Sequence, residues 1–360
     1  MNRGGESFNG RTGAFGALNP GSNPGSPANS PLYYKGKWRT LMRIPLRIGE
    51  PYHVVYYAPL HVAQCGGFFE AEDLDVEITA AASFAAIVAG WGSPSDSGVA
   101  GGGTTDVAVG GIMRSLVAFD RGETPVPVHF ARVNDRDGFL LLGRAHGFEW
   151  HNLLDRRLIV FAEAPTPLHV LRSLLLSRGL DPDRIDVIDD VPIARVAEAF
   201  RNGIGDFVLT QSHVAEELTR GGDAILLRAM AEEAESLPYS SYYCPPDYVI
   251  REPESVRRVA RANAAAIRWM QSHSGDEIWE SIRPDFAEGD AETLRAATVR
   301  YKALGVWSSD TTLPPLSYAR LAAAMQRGGL ITRIAPYELV IRDQAARTAE
   351  AELDGEHGSS

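Results

Sequence analysis

Cysteine is scarce in this chain. Cys65 and Cys244 are the only two among 360 residues. Two thiols cannot build a disulfide framework, and neither stands in a CxxC or CxxH spacing. The expectation is a pair of free thiols, which suits a reducing compartment. Long apolar runs are also missing: no stretch approaches the roughly 20 apolar residues of a membrane span. Positive charge is not concentrated anywhere. The formal net charge is −11 and there is no Lys/Arg run, which argues against a nucleic-acid partner. The chain also lacks a GxSxG elbow, a GxxxxGK[ST] loop, an HExxH pair and a GxGxxG opening a helix. The first 41 residues are rich in Gly, Asn, Ser and Pro and contain no apolar h-region. Such a segment cannot bury surface and carries no export signal. It reads as a disordered extension. The chain is therefore expected to be cytoplasmic as it stands, or periplasmic if its start is misassigned.

What is present is a globular grammar. Hydrophobic residues make up 44% of the sequence, enough for real cores, and the length suits two lobes. "RIPLRIG" reads as a strand that runs into the loop Glu50–Tyr57. A helix follows from about Pro59 to Cys65, then the strand "LDVEITA", a Gly/Ser-rich stretch, and the short strand "DVAVGG". The second half repeats the alternation through "FLLLGR", "RRLIVFAEA", "TPLHVLRSLLLSRGL", "DRIDVID" and "DFVLTQ". Strands alternating with helices predict parallel α/β sheets in both lobes. Long helical patterns fill the final third and predict a block that packs back on the first lobe. The expected division is 42–130 plus 238–345 for lobe 1, 131–237 for lobe 2, and 346–360 as a polar tail.

Ligands of open α/β sheets collect beyond the carboxyl ends of strands. Four such places stand out: the aromatic loop with Glu50, Tyr52, His53, Tyr56 and Tyr57; Trp91 with Ser93; Gly110 and Gly111; and Glu163 to Thr166 before the long second-lobe helix. Each has a plainer reading. The tyrosines are equally explained as core aromatics, Trp91 as a packing lid, the glycines as a strand end, and Thr166 as an N-cap. His53 and His61 each lack a second ligand at i+4, so no metal site is expected. Cys65 reads as a small buried hydrophobe, and Cys244 has no assignable base. No catalytic residue and no cofactor is assigned.

The stretch "YYAPLHVAQCGGFFEAEDLDVEI" resembles the opening of the nitrate/sulfonate/taurine class of ABC-transporter solute-binding proteins, relatives of the fungal thiamine-pyrimidine synthases. The matching residues are Pro59, Ala63, Gln64, Gly67 to Phe69 and Leu74 to Glu77, with Asp73 where the family pattern has Gly. Further matches keep the same order to about residue 340. The resemblance implies a two-lobed type II periplasmic-binding-protein-like α/β fold with a C-terminal helical block. It implies a small, anionic or aromatic solute of the sulfonate or carboxylate type held between the lobes, and an ABC permease as partner. It also carries Gln211 into the ligand-binding set. The synthases' cofactor Lys falls on Gly110, their accompanying His on Arg114, and their Cys-rich motif holds only Cys244, so that chemistry is not expected. Enzymes on the same fold, desulfinases and decarboxylases of aromatic acids, supply the alternative reading.

Overall fold

Ten strands form among the described residues, in chain order: β1 Ile44–Glu50, β2 Leu74–Ala80, β3 Val107–Gly111, β4 Val128–Asn134, β5 Phe139–Gly143, β6 Arg157–Phe161, β7 Asp186–Val191, β8 Phe207–Gln211, β9 Ile225–Ala229 and β10 Ser240–Cys244. The computed structural model describes residues 43–81, 84–91, 105–161 and 165–357. Ser93, Glu163 and the N-terminal extension lie outside the described residues.

The strands build two five-stranded sheets, β2-β1-β3-β10-β4 and β7-β6-β8-β5-β9. Neither sheet is purely parallel, as the alternation predicts. In the first, β10 runs antiparallel to both β3 and β4. In the second, β5 runs antiparallel to both β8 and β9. Both exceptions are strands on the path between the lobes. A chain that arrives from the opposite sheet enters from the carboxyl-end side and so points the other way. The expected boundary at residue 130 falls inside β4, and the first crossover occupies residues 135–138.

Each sheet carries its own apolar core. Ile48, Val107, Phe130 and Tyr242 pack with Leu60, Val259 and Trp279 of surrounding helices in the first. Leu140, Ile159 and Leu209 pack with Leu171 and Phe200 in the second. The C-terminal helices touch both halves. Helix Pro253–Ser272 lies on helix Ala58–Cys65, whereas Ala291–Ala303 lies on Ser212–Arg220 and Pro315–Arg327 on Pro165–Ser177. The last stretch is a helix, Gln344–His357, and not a tail. Ala346, Ala349 and Leu353 are buried, and Arg261 and Arg268 pair with Glu352, Glu356, Glu350 and Asp354 on its polar side.

Two backbone positions explain local sequence. Asp73 turns the chain into β2 with φ +53°, a left-handed conformation that favours glycine and that Asp tolerates. This is the place where the family pattern has Gly. At Gly328 a Cβ would lie 2.1 Å from the backbone oxygen of His169. Only glycine lets these two helices approach so closely.

No helix among the described residues is long and apolar enough to cross a membrane. Both cysteines are free. Cys244 is buried in β10, but Cys65 is the exposed last residue of its helix and not a buried core residue.

Candidate functional site

β1 ends at Glu50, and the chain turns through Tyr52 into the 3-10 turn Val55–Tyr57 before helix Ala58–Cys65 starts with Pro59 in its first turn. The backbone carbonyl of Tyr56 accepts two hydrogen bonds, from Asn134 Nδ2 and from Trp307 Nε1, both 3.0 Å. The Tyr56 ring lies over Gly138, where a Cβ would come within 2.4 Å of it. The loop is therefore held by the first crossover and the C-terminal block, not by its own sequence.

This loop forms one wall of a narrow cavity at the junction of the two sheets. Tyr52, Tyr56 and Tyr57 line it, with Gly111, Met113 and Arg114 beside them. The opposite wall is the first turn of helix Pro165–Ser177, with Gln211 at the end of β8. Phe139 at the start of β5, Tyr239 just before β10 and Ser240 at its start complete the lining. Burial holds the phenols of Tyr56 and Tyr57 above their ordinary pKa, so both stay neutral. Gln211 is buried, and its Oε1 has no hydrogen-bond partner among the described residues.

Behind this wall sits Asp137, 1% exposed. It accepts from the backbone N–H of Phe139 at 2.9 Å and from the Tyr239 hydroxyl at 2.6 Å. Burial pushes its carboxyl up to about 7 despite these two bonds.

The walls meet across the cleft. A Cβ on Gly111 would lie 3.9 Å from Thr166 Oγ1, and the Tyr52 ring meets Phe161 of β6 edge-on, 6.4 Å between centroids. Further out, His169 Nδ1–H and Arg172 Nε–H both donate to the Gly328 carbonyl, at 2.8 and 3.1 Å. These two side chains are ties between helices rather than free surface.

The structure thus brings Tyr52, Tyr56, Tyr57, Gly111, Thr166 and Gln211 to one cavity. It sends four other expected residues elsewhere. Gly110 alternates to the opposite face of β3, under the Tyr243 ring. Trp91 packs edge-on against that same ring, 6.0 Å away, in a small cluster with Ile87 and Ala108. Glu50 and His53 turn from the cavity toward helix Ala58–Cys65. Thr166 is the second residue of its helix rather than the N-cap, because the helix begins at Pro165. Sequence reading missed Met113, Arg114, Phe139, Tyr239 and Ser240 as lining residues. The place of Arg114, three residues past the Gly pair, was a usable signal; Tyr239 and Ser240 offered none.

Glu50, His53 and His61 come together although no i,i+4 spacing links them. His53 Nδ1 is 2.5 Å from Glu50 Oε1, and His61 Nε2 is 3.3 Å from Glu50 Oε2. His61 Nδ1 meets Asp285 Oδ2 at 3.0 Å, and His53 Nε2 meets the Asp285 carbonyl at 2.8 Å. Burial disfavours a charged Glu50, but the two imidazoles outweigh it and hold its pKa below the ordinary value. The Glu50 hydrogen bond raises the pKa of His53, and Asp285 and Glu50 raise that of His61 against its burial. This is a set of donors that could hold a metal ion.

Known proteins share the family and the fold. The family model described as NMT1/THI5 like matches residues 54–276, more than half of the chain. The relative from Bacillus subtilis (strain 168) named "Putative binding protein YtlA" is 24% identical over 310 residues, covering 85% of this chain and 90% of its own length. The alkanesulfonate-binding protein SsuA of Xanthomonas axonopodis pv. citri, solved with MOPS, shares the fold at TM-score 0.64 and 15% identity, covering 83% of this chain and 98% of that one. The periplasmic nitrate-binding protein NrtA of Synechocystis PCC 6803 matches at TM-score 0.64 and 16% identity, with 86% and 89% covered. With two sheets of the same construction closing on one cavity, and a match across most of both, the chain belongs to the NMT1/THI5-like family and has a periplasmic-binding-protein-like fold.

Proposed function

We propose that this protein is the solute-binding component of an ABC importer and that it closes on a small organic anion with an aromatic or apolar body. One observation carries the reading: phenol rings from the first lobe, the Arg114 guanidinium and the positive end of helix Pro165–Ser177 converge on a single cavity between the sheets. Neutral tyrosines offer stacking surface and hydroxyl donors to the body of the solute. A guanidinium and a helix N-terminus both favour a carboxylate, sulfonate or similar head group. Gly111, without a side chain, lets the head group reach the backbone. The sulfonate- and nitrate-binding neighbours support the same class of ligand. The ligand would contact both walls and so favour the closed arrangement of the lobes.

An enzyme on this fold is the second reading. It has less support, since the described lining contains neither cysteine nor histidine.

The test is a thermal-shift screen with alkane- and arylsulfonates, aromatic carboxylates, nitrate and pyrimidines. A ligand that binds the native state raises the melting temperature by mass action. The expected hit is a sulfonate or carboxylate that is recovered chemically intact after long incubation. Turnover of the hit would favour the enzyme reading. A hit whose affinity is unchanged in both Tyr52→Ala and Thr166→Val would remove the site.

A further inference from the structure

We infer that Glu50, His53 and His61 form a binding site for a divalent transition metal, with zinc as the type ion, at the base of the aromatic loop. The three side chains come from the end of β1, the loop after it and helix Ala58–Cys65. Their candidate ligand atoms all lie within 4.8 Å of one another. A tetrahedral zinc centre with bonds of about 2.0–2.2 Å places neighbouring donors about 3.3 Å apart. Glu50 Oε2 and His61 Nε2 already stand at 3.3 Å, and the His53 contact at 2.5 Å needs only to widen.

The outer shell strengthens the case. A metal-binding histidine commonly donates its other ring N–H to a carboxylate or a backbone carbonyl, which aims the remaining lone pair at the ion. Both histidines do so here, and both use Asp285: His61 Nδ1–H through its carboxylate, His53 Nε2–H through its main-chain oxygen. The nitrogens left over are those that face Glu50. Phe286 supports both rings, with His53 stacked at 4.4 Å and His61 edge-on at 4.7 Å. Glu50 Oε2 and His61 Nε2 face each other at 3.3 Å without hydrogen-bond geometry, and the two residues are 1% and 0% exposed. An ion between them would satisfy both.

The His53 side chain is 42% exposed, which gives the ion a route in and leaves a fourth coordination position toward solvent. The ion would clamp the loop that carries the cavity tyrosines onto the segment around Asp285. The inference is independent of the solute-binding reading and survives its failure.

The test uses the full chain, free of any affinity tag and stripped with EDTA. Co2+ serves as the spectroscopic probe, and Zn2+ affinity is read by competition. The expected result is one equivalent of Co2+ with the visible absorption of a tetrahedral nitrogen/oxygen site. His53→Ala, a change at a half-exposed ring, is expected to weaken Zn2+ binding at least tenfold while the circular dichroism stays native. Asp285→Asn, at a positioning residue, is expected to weaken it by about tenfold. Absence of stoichiometric Co2+ binding, an octahedral spectrum with affinity unchanged in His53→Ala, or full affinity in both variants would overturn the inference and leave a proton-held structural cluster.

Discussion

The two lobes share one construction and differ in what they present to the cleft. Each sheet has three central and edge strands in the order second-first-third, then an antiparallel strand, then a parallel edge. Yet the first lobe presents a loop of three tyrosines, whereas the second presents the first turn of a helix. The shared topology fixes where loops converge; the side chains on those loops decide what each wall recognises. Both walls are pinned from outside: the first by Asn134, Trp307 and Gly138, the second by the Gly328 carbonyl, which His169 and Arg172 hold.

The strongest test of this comparison lies where the lobes join. Asp137, in the first crossover, has a folded pKa of about 7, above its unfolded value of about 3.9. The folded state keeps a proton that the unfolded state releases, so this group's contribution to stability is lost as pH rises from about 4 through 7. Asp137→Asn is expected to flatten that limb, with the native protein losing up to about 1.4 kcal/mol per pH unit relative to the variant. Urea melts between pH 4 and 8 measure it; parallel curves would remove the assignment.

Next comes the contact between the second-lobe helix and the C-terminal block. Gly328→Ala puts a methyl group 2.1 Å from the His169 oxygen and is expected to cost about 1–3 kcal/mol, or to part the lobes. Calorimetry reads the first and small-angle scattering the second. Unchanged values in both would show that the two helices separate freely.

The walls themselves can be compared once a ligand is found. Tyr52→Ala is expected to weaken an aromatic ligand by about 1–2 kcal/mol and an aliphatic one less. Thr166→Val is expected to cost about 1 kcal/mol with either, since it removes one hydroxyl. Calorimetric titration with a matched aryl and alkyl pair separates the two. Equal losses for both ligands in Tyr52→Ala would mean that the first wall does not read the ring.

The smallest effect concerns a turn. The second lobe ends helix Pro165–Ser177 on Gly179 at φ +73°, but the first lobe enters β2 through Asp73 at φ +53°. Asp73→Gly relieves the left-handed strain and gives up an ion pair with Arg258 at 3.4 Å. The expected net gain is a few tenths of a kcal/mol, read in denaturant melts. A clear loss would show that the ion pair outweighs the strain.

Much of this architecture was legible in the sequence. The strand and helix alternation is visible because apolar periodicity is local, and the loops at strand ends follow from it. The direction of β5 and β10 was not legible, because it depends on which sheet the chain has just left. Half of the cavity lining was recoverable for the same reason: Tyr52 to Tyr57 follow β1 and Gly111 ends β3, whereas Tyr239 and Ser240 lie where the second crossover enters β10, with no motif. The Glu50 cluster was hidden by distance. Its organiser, Asp285, lies 224 residues beyond His61, and no pattern within one element announces such a meeting.

The placement of β10 has a consequence for a nascent chain. β4 reaches its sheet only through β10, which sits between it and β3. While a ribosome is still working through residues 135 to 239, the first lobe therefore emerges with two unsatisfied ladders and a gap one strand wide. Such open edges invite pairing with foreign chains. A ribosome stalled before residue 240 would release a fragment prone to aggregate, and the stretch Ser240–Cys244 would be the part whose arrival ends that hazard.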